Sequence, residues 1–370
     1  MIAQAGESIF NQWFSNYWLV LVVKAGVVLG FFLVAPMVVG YAEHKVLAHM
    51  QSRLGPMYAG RFHGWAQLVA DGVKFIQKED IIPRAADPWV FSLAPAVAMV
   101  PYVVLFVVIP FSPEIFALNL DVGIFFVLAM SSVSVIGVLM AGWASANKFS
   151  LIGALRAAAQ LIAYELPLVL AAASVVMQAG TLSLIGITEA QDRYWYVITQ
   201  PVGFVIFLVA SLAELTRPPF DMPVADSEII FGAYTEYTGL KFAFFLLAEY
   251  GGIVALSAIA SVLYLGGYLA PPLLGLIPEP LWMAAKIGAL SFFVIWLRAT
   301  YPRLREDQLQ RFSWLFLIPL TLVQIVVVGL VKVAVRYGGG PWPSTSETRE
   351  RDPRRAWRWA RAWSRASASR

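Results

Sequence analysis

The chain has 370 residues, no cysteine and three histidines, His44, His49 and His63. Without cysteine it forms no disulfide and holds no iron–sulfur cluster on its own thiolates. The histidines share one short polar stretch, so a haem bridged between facing transmembrane helices would find no ligand pair. No glycine-rich phosphate loop follows a strand, and no His/Glu pair has zinc-ligand spacing. Basic residues are missing before Lys24, and Glu7 is acidic, which does not match a cleaved signal peptide. Charged residues make up only 14% of the chain. Neither a catalytic group nor a metal site is expected here, and any electron carrier working nearby belongs to a partner.

What is abundant is hydrocarbon. A chain that is 59% hydrophobic reads as an all-α, polytopic membrane protein. A bilayer core is crossed by about 20 apolar residues. Eight segments qualify: Tyr17–Val39, Trp89–Phe111, Val122–Trp143, Leu161–Ala179, Trp195–Ala213, Phe242–Leu265, Leu281–Leu297 and Trp314–Val335. Trp18, Trp89, Trp143, Trp195, Trp282 and Trp314 stand near their ends as interfacial anchors. Pro95, Pro101 and Pro167 are expected to kink the second and fourth spans.

Charge alternates between the loops. Those after spans one, three, five and seven carry Lys45, Arg53, Arg61, Lys74, Lys78, Arg84, Lys148, Arg156, Arg217, Arg298, Arg303, Arg305 and Arg311; the opposite loops carry Arg193 alone. The positive-inside rule places the odd-numbered loops in the cytoplasm and both termini outside. Residues 1–336 then form one transmembrane domain. The Arg-rich residues 337–370 form a tail expected to be disordered, although its tryptophans would also suit lipid headgroups.

The first cytoplasmic loop is too long for a tether. Between Arg61 and Lys78, Phe62, Trp65, Leu68, Val69, Val73 and Ile76 recur at helical spacing, with Asp71, Lys74 and Lys78 elsewhere. That pattern predicts an amphipathic helix at the membrane surface. Upstream, Glu43 and Lys45 close the first span; taken singly, each reads best as a snorkelling end residue.

Acids at membrane depth carry the functional signal. Glu165 lies early in the fourth span, Glu214 closes the fifth, and Glu249 sits about 10 Å along the sixth. The loop after Glu214 adds Asp221, Asp226, Glu228 and Glu236, interleaved with Phe220, Ile229, Ile230 and Phe231. Carboxylates beside hydrocarbon are expensive to ionise, so this grouping points to proton or ligand handling more than to a solvated loop. A proton relay through Glu165, Glu214 and Glu249, joined by Asp226, Glu228 and Glu43, is the expectation. Its plain alternative is that each acid pairs with a nearby Arg or amide and fixes packing.

Four stretches together resemble one family. They are AEHKVLAHMQSRLGPMYAGRFHGWAQLVADGVKFIQKED, ANKFSLIGALRAAAQLIAYELPL, AELTRPPFDMPVADSEIIFGAYTEYTGLKFAFFLLAEY and RATYPRLREDQLQRFSWLFLIPL. In this order and spacing they are similar to the signatures of the H subunit of NADH-quinone oxidoreductase, the respiratory complex I. Two departures stand out. His44 replaces the family's usual arginine between Glu43 and Lys45, and Val224 replaces a loop acid, with Asp226 a shortened one.

The resemblance implies a membrane component of a bacterial inner-membrane translocase that forms much of a ubiquinone or menaquinone chamber. It anchors the hydrophilic arm and couples quinone reduction to proton translocation. Quinone is then the substrate, while FMN and iron–sulfur clusters reside in partner subunits. The implied partners are quinone-module hydrophilic subunits, small membrane subunits, antiporter-like subunits and the lipid bilayer; nucleic acid is not among them. On this reading Arg53, Phe62, Trp65, Asp71 and Lys74 of the first loop line the quinone slot with Arg217, Phe220, Asp221 and Glu228 of the third. Two alternatives differ in kind: a related membrane subunit of an energy-converting hydrogenase, and a stand-alone ion transporter.

Overall fold

The computed structural model describes residues 8–13, 16–224, 226–271 and 277–337. Among them every regular element is helical. The helices are α1 (Ile9–Trp13), α2 (Tyr17–Met50), α3 (Gln67–Gln77), α4 (Pro88–Val108), α5 (Gly123–Ala144), α6 (Lys148–Ala179) and α7 (Leu184–Glu189). They continue with α8 (Tyr196–Thr199), α9 (Pro201–Glu214), α10 (Asp226–Ile229), α11 (Gly239–Tyr264), α12 (Glu279–Thr300), α13 (Glu306–Arg311) and α14 (Ile318–Tyr337). A short 3₁₀ turn (Gly232–Tyr234) precedes α11, and a π-helical segment (Phe312–Leu317) joins α13 to α14. The Arg-rich tail lies outside the described residues apart from Tyr337.

Local chemistry sets many of the helix ends. Asn16 and Asn147 each accept from a backbone N–H two residues on, at 3.0 and 2.9 Å. Asp87 does the same for Trp89, and Pro88 supplies the preset first turn of α4. Gly180 ends α6 in the left-handed region, with φ at 76°.

Seven helices among the described residues are long and apolar enough to cross a membrane. The fifth expected span, Trp195–Ala213, is the exception. It divides at Gln200 into α8 and the 14-residue α9. The cause is Pro201, which has no N–H to donate and pushes the residue before it out of the helical region; Gln200 sits at φ −134°. A helix of 14 residues is about 21 Å long, short of the ~30 Å hydrocarbon core. Other spans run longer than expected, since α2 continues eleven residues beyond Val39 and α6 begins at Lys148.

Helices α4, α5, α6 and α11 form the interior, whereas α2 and α14 lie at the rim with large apolar side chains outward. Glycine permits the closest approach. A Cβ on Gly142 of α5 would stand 2.3 Å from the Ala154 Cβ of α6, and one on Gly137 would stand 2.4 Å from the Ala98 nitrogen of α4.

The basic loops meet at one end of the bundle. Lys241 pairs with Asp80 at 2.8 Å, Asn147 donates to Glu236 at 2.6 Å, and the Leu304 N–H donates to the Pro219 carbonyl at 3.1 Å. Contacts of the other set, Ile124 to Leu182 and Ser112 to Glu279, tie the remaining loops together. Within the first loop, α3 spans Gln67–Gln77 inside the segment expected to be helical. Leu68 packs beside Gly40 of α2 and Phe75 against Phe242 of α11, while Val69, Val73 and Ile76 stay exposed. Phe62 and Trp65 lie in the turns before the helix.

Candidate functional site

The bundle's end with the basic loops contains a buried group of charges. Glu43 lies near the end of α2, and its side chain is 2% exposed. Both carboxylate oxygens are engaged: the Arg217 guanidinium donates to one and the Arg298 guanidinium to the other. Glu43 therefore does not snorkel toward water as its place at a span end suggests. Two arginines from distant parts of the chain hold it inside the fold.

Arg217, 1% exposed, reaches this place through a reversal of the chain after α9. Thr216 adopts the left-handed region, with φ at 51°, uncommon for a β-branched residue. The reversal lets the Arg217 N–H close back on the Leu212 carbonyl at 3.4 Å. Its side chain lies between two helices. Arg217 Nε is 2.9 Å from Glu249 Oε1 of α11, too far off the N–H axis for a hydrogen bond but a close ion pair. Its guanidinium carbon stands 4.7 Å from the Tyr250 ring centre. Burial works against the charge of Arg217, but the Glu249 and Glu43 carboxylates outweigh it and raise its pKa above the ordinary value. With Glu43 and Glu249 as anions and Arg217 and Arg298 as cations, the group of four is neutral.

Glu249 also belongs to a second line of polar groups running into the bundle. Tyr102 of α4 is buried, shares a 3.3 Å hydrogen bond with Ser134 of α5, and has Glu214 and Glu249 in its neighbourhood. Glu214, the last residue of α9, is buried with Ser131 and Glu165 as polar neighbours. Glu165 in turn accepts a hydrogen bond from Ser132. Serines of α5 at positions 131, 132 and 134 line this part of the bundle, Ser132 on the Glu165 carboxylate and the other two on backbone carbonyls. The neighbouring order is Glu43, Arg217, Glu249, Tyr102, Glu214, Glu165, crossing α2, α11, α4, α9 and α6. Such a line of hydroxyls and carboxylates can pass protons or transmit a change of charge.

The loop acids divide. Glu228 is partly exposed and sits among cations, hydrogen-bonded by Arg156 and 3.5 Å from Arg303. The Arg156 hydrogen bond holds its carboxyl below the usual carboxylate range. Arg156 also pairs with Glu306 at 3.3 Å, and with Arg305, Asp307 and Gln310 these residues line an open depression on the surface. Asp226 opens α10, but its side chain lies outside the described residues. Of the expected relay residues, Glu43 and Glu214 are buried and Glu165 and Glu249 half-buried near them, while Glu228 stands apart at the surface.

The expected quinone-lining residues do not converge into one slot. Arg53 is exposed and donates to Gln51 at 2.8 Å. Asp71 and Lys74 pair with each other at 3.0 Å on the surface of α3, and Phe62 and Trp65 are exposed. Phe220 does not line a surface either: it is buried, with its ring 5.3 Å from that of Tyr164. Its backbone is tied down as well, since Gln160 donates to both the Ala213 and Phe220 carbonyls at 2.7 Å. Arg217 belongs to the neutral group described above, and Asp221 is half-buried in the same loop. Sequence reasoning missed Arg298, Tyr102, Tyr250 and the α5 serines. The last had a visible signal, a run of hydroxyls inside an otherwise apolar span.

Comparison with known proteins gives this arrangement its context. The family model described as NADH dehydrogenase matches residues 23–329. A Bacillus mycoides protein, named as the H subunit of NADH-quinone oxidoreductase, is 46% identical over 291 residues, covering 79% of this chain and 87% of the relative. A Geobacillus kaustophilus protein of the same name is 46% identical over the same coverage, and a Bacillus cereus one 45%. The matched region contains every residue of the interior network, from Glu43 to Arg298, and leaves only the chain ends outside. The chain therefore belongs to the H-subunit family of NADH-quinone oxidoreductase, as a multi-pass membrane component of that multi-subunit enzyme.

Proposed function

We propose that this protein forms one wall of the quinone chamber and passes the charge change of quinone reduction into the membrane. Quinone reduction consumes two electrons and two protons, so it alters the charge balance of whatever surrounds the headgroup. The observation that carries the reading is the buried Glu43–Arg217 pair, flanked by the partly exposed Arg298 and Glu249, with Tyr102, Glu214 and Glu165 beside it. A neutral set of four charges is sensitive to loss of any one. Removing a single negative charge from it leaves Arg217, 1% exposed, under-compensated where dielectric screening is weak.

On this proposal the end with the basic loops faces the cytoplasm and meets the quinone-module hydrophilic subunits, whose FMN and iron–sulfur clusters deliver the electrons. The exposed apolar residues of α3, with Phe62 and Trp65, lie at the membrane surface beside the entrance for the quinone tail. Arg53, Asp71 and Lys74 become headgroup or docking contacts only when that partner closes over them. Small membrane subunits and antiporter-like subunits receive the signal beyond Glu165. The test is Glu214→Gln in the native complex, isolated through a tag on this chain. Assembly should persist while proton pumping or quinone reduction falls; normal rates of both would refute the relay assignment.

A further inference from the structure

Helix α6 carries Pro167, which has no N–H, so the Ala163 carbonyl one turn earlier loses its helical donor. A buried carbonyl left in that state is unfavourable by about 1–3 kcal/mol. The structure supplies a donor from elsewhere in the chain. Ser313 Oγ donates to the Ala163 carbonyl at 2.5 Å, with both residues buried. Ser313 belongs to the π-helical Phe312–Leu317, where the backbone leaves the regular α register. Such widened turns are rare and occur disproportionately at functional sites. A second bond runs the other way: Tyr164 Oη donates to the Leu309 carbonyl at 2.9 Å, again between buried residues.

These two bonds fasten consecutive residues of α6, Ala163 and Tyr164, to the α13–α14 junction. The next residue is Glu165. Its carboxylate must point toward α5 to accept from Ser132. Pro167 leaves this turn of α6 one backbone bond short, so without the outside donor a local rotation here would swing Glu165 away from the serines.

We infer that Ser313 and Tyr164 are positioning residues for Glu165. They clamp the turn of α6 that Pro167 leaves one bond short, so that the carboxylate faces the α5 hydroxyls. This inference rests on the reading of Glu165 as a member of the proton-coupling line. Ser313 reaches that line only through the backbone of α6, so its effect should disappear when Glu165 can no longer titrate.

The test uses the intact complex in sealed membranes with Ser313→Ala, Ser313→Thr, Glu165→Gln and the Ser313→Ala/Glu165→Gln pair. Losing one buried hydrogen bond shifts a local equilibrium by roughly 3- to 10-fold, so protons pumped per NADH should fall about threefold in Ser313→Ala. Ser313→Thr, which keeps the hydroxyl, should restore most of the loss. The redox-induced infrared difference spectrum supplies a readout that a purely structural role would leave in place. The carboxyl band that vanishes in Glu165→Gln should shift in frequency in Ser313→Ala. The double variant should be no worse than Glu165→Gln alone. An unshifted band with normal pumping in Ser313→Ala, against impaired pumping in Glu165→Gln, overturns this inference and leaves the relay reading standing. Normal pumping in Glu165→Gln removes the relay reading and the inference with it. Should Ser313→Ala lose assembly, Tyr164→Phe deletes the other bond while keeping the ring and answers the same question. Loss of assembly in both makes the clamp a folding element alone and overturns the proposal.

Discussion

Removing Arg217 should do more harm than removing Glu43, and removing both should do less than the sum. In Arg217→Met, Glu43 keeps only Arg298, and Glu249 loses its 2.9 Å partner. Glu43 cannot reach water, because its side chain is 2% exposed. Breaking a buried pair by deleting one partner is destabilising by about 3–5 kcal/mol, because a charge is left without compensation. Glu43→Met leaves different residues behind. Arg217 retains Glu249 and the Tyr250 ring, and Arg298, 37% exposed, can turn to solvent. A milder loss of about 1–3 kcal/mol follows from the unmade hydrogen bonds. The double variant buries no orphaned partner at the centre of the group, so the coupling should be favourable by roughly 1–3 kcal/mol. Each 1.4 kcal/mol is a factor of about ten in the underlying equilibrium. The assay is heat challenge of isolated membranes, followed by native electrophoresis and detection of this protein in the full complex. Arg217→Met should dissociate at the lowest temperature, and adding Glu43→Met should recover part of the difference. Strictly additive losses, or greater sensitivity in Glu43→Met than in Arg217→Met, would refute the idea of one neutral, mutually dependent group.

Gly142→Ala places a methyl 2.3 Å from the Ala154 Cβ and 2.5 Å from the Ser150 carbonyl oxygen, so α5 and α6 must separate. Overpacking of this kind is destabilising by about 1–3 kcal/mol, and the amount of assembled complex should fall; unchanged assembly would show that the helices have slack there. The Arg156–Glu228 contact should make the loop at residues 221–238 acid-sensitive. The carboxyl's folded pKa is depressed, so its contribution is complete above the unfolded value and is lost as pH falls through the folded one. Because Glu228 is half exposed, the effect should be small and confined to the region below about pH 4. Pepsin cleavage of the loop should accelerate there in the native protein. The Glu228→Gln variant should lack that pH dependence, and a pH-independent rate in the native protein would refute the assignment.

The spans were legible because each needs only a run of apolar residues, and Glu165, Glu214 and Glu249 because a carboxylate within such a run is conspicuous. The break before α9 was legible too, since Gln200–Pro201 carries the usual signal, but the apolar run spoke for a continuous helix. Glu43 and Arg298 were harder. Each stands at the end of a span, where a charged side chain normally turns to the interface, and their partnership joins positions 255 residues apart. No local pattern distinguishes a snorkelling Glu from one drawn inward by two arginines. Phe220 shows the converse. An aromatic in an acidic loop suggested a surface for a quinone tail, whereas Gln160 and Tyr164 draw it into the core.

Glu249 is the residue at which the two halves of the proposed mechanism meet. It neutralises Arg217 on one side, and on the other it shares the field at Tyr102 with Glu214. A charge uncompensated at 6–10 Å is worth about 1.7–2.8 kcal/mol at an effective dielectric of 20, enough to move a neighbouring carboxyl by one to two pKa units. On the proposed function, a proton taken from this region to a reduced quinone, or an anionic quinone intermediate held near Arg217, therefore alters the proton affinity of Glu214. No bulky conformational change is required for that step. Glu249→Gln should uncouple the halves: quinone reduction should continue while pumping per NADH falls, because Arg217 keeps Glu43 but Glu214 no longer senses the chamber. Equal loss of reduction and pumping in Glu249→Gln would instead place Glu249 in the chamber alone, and the connection through Tyr102 would carry nothing.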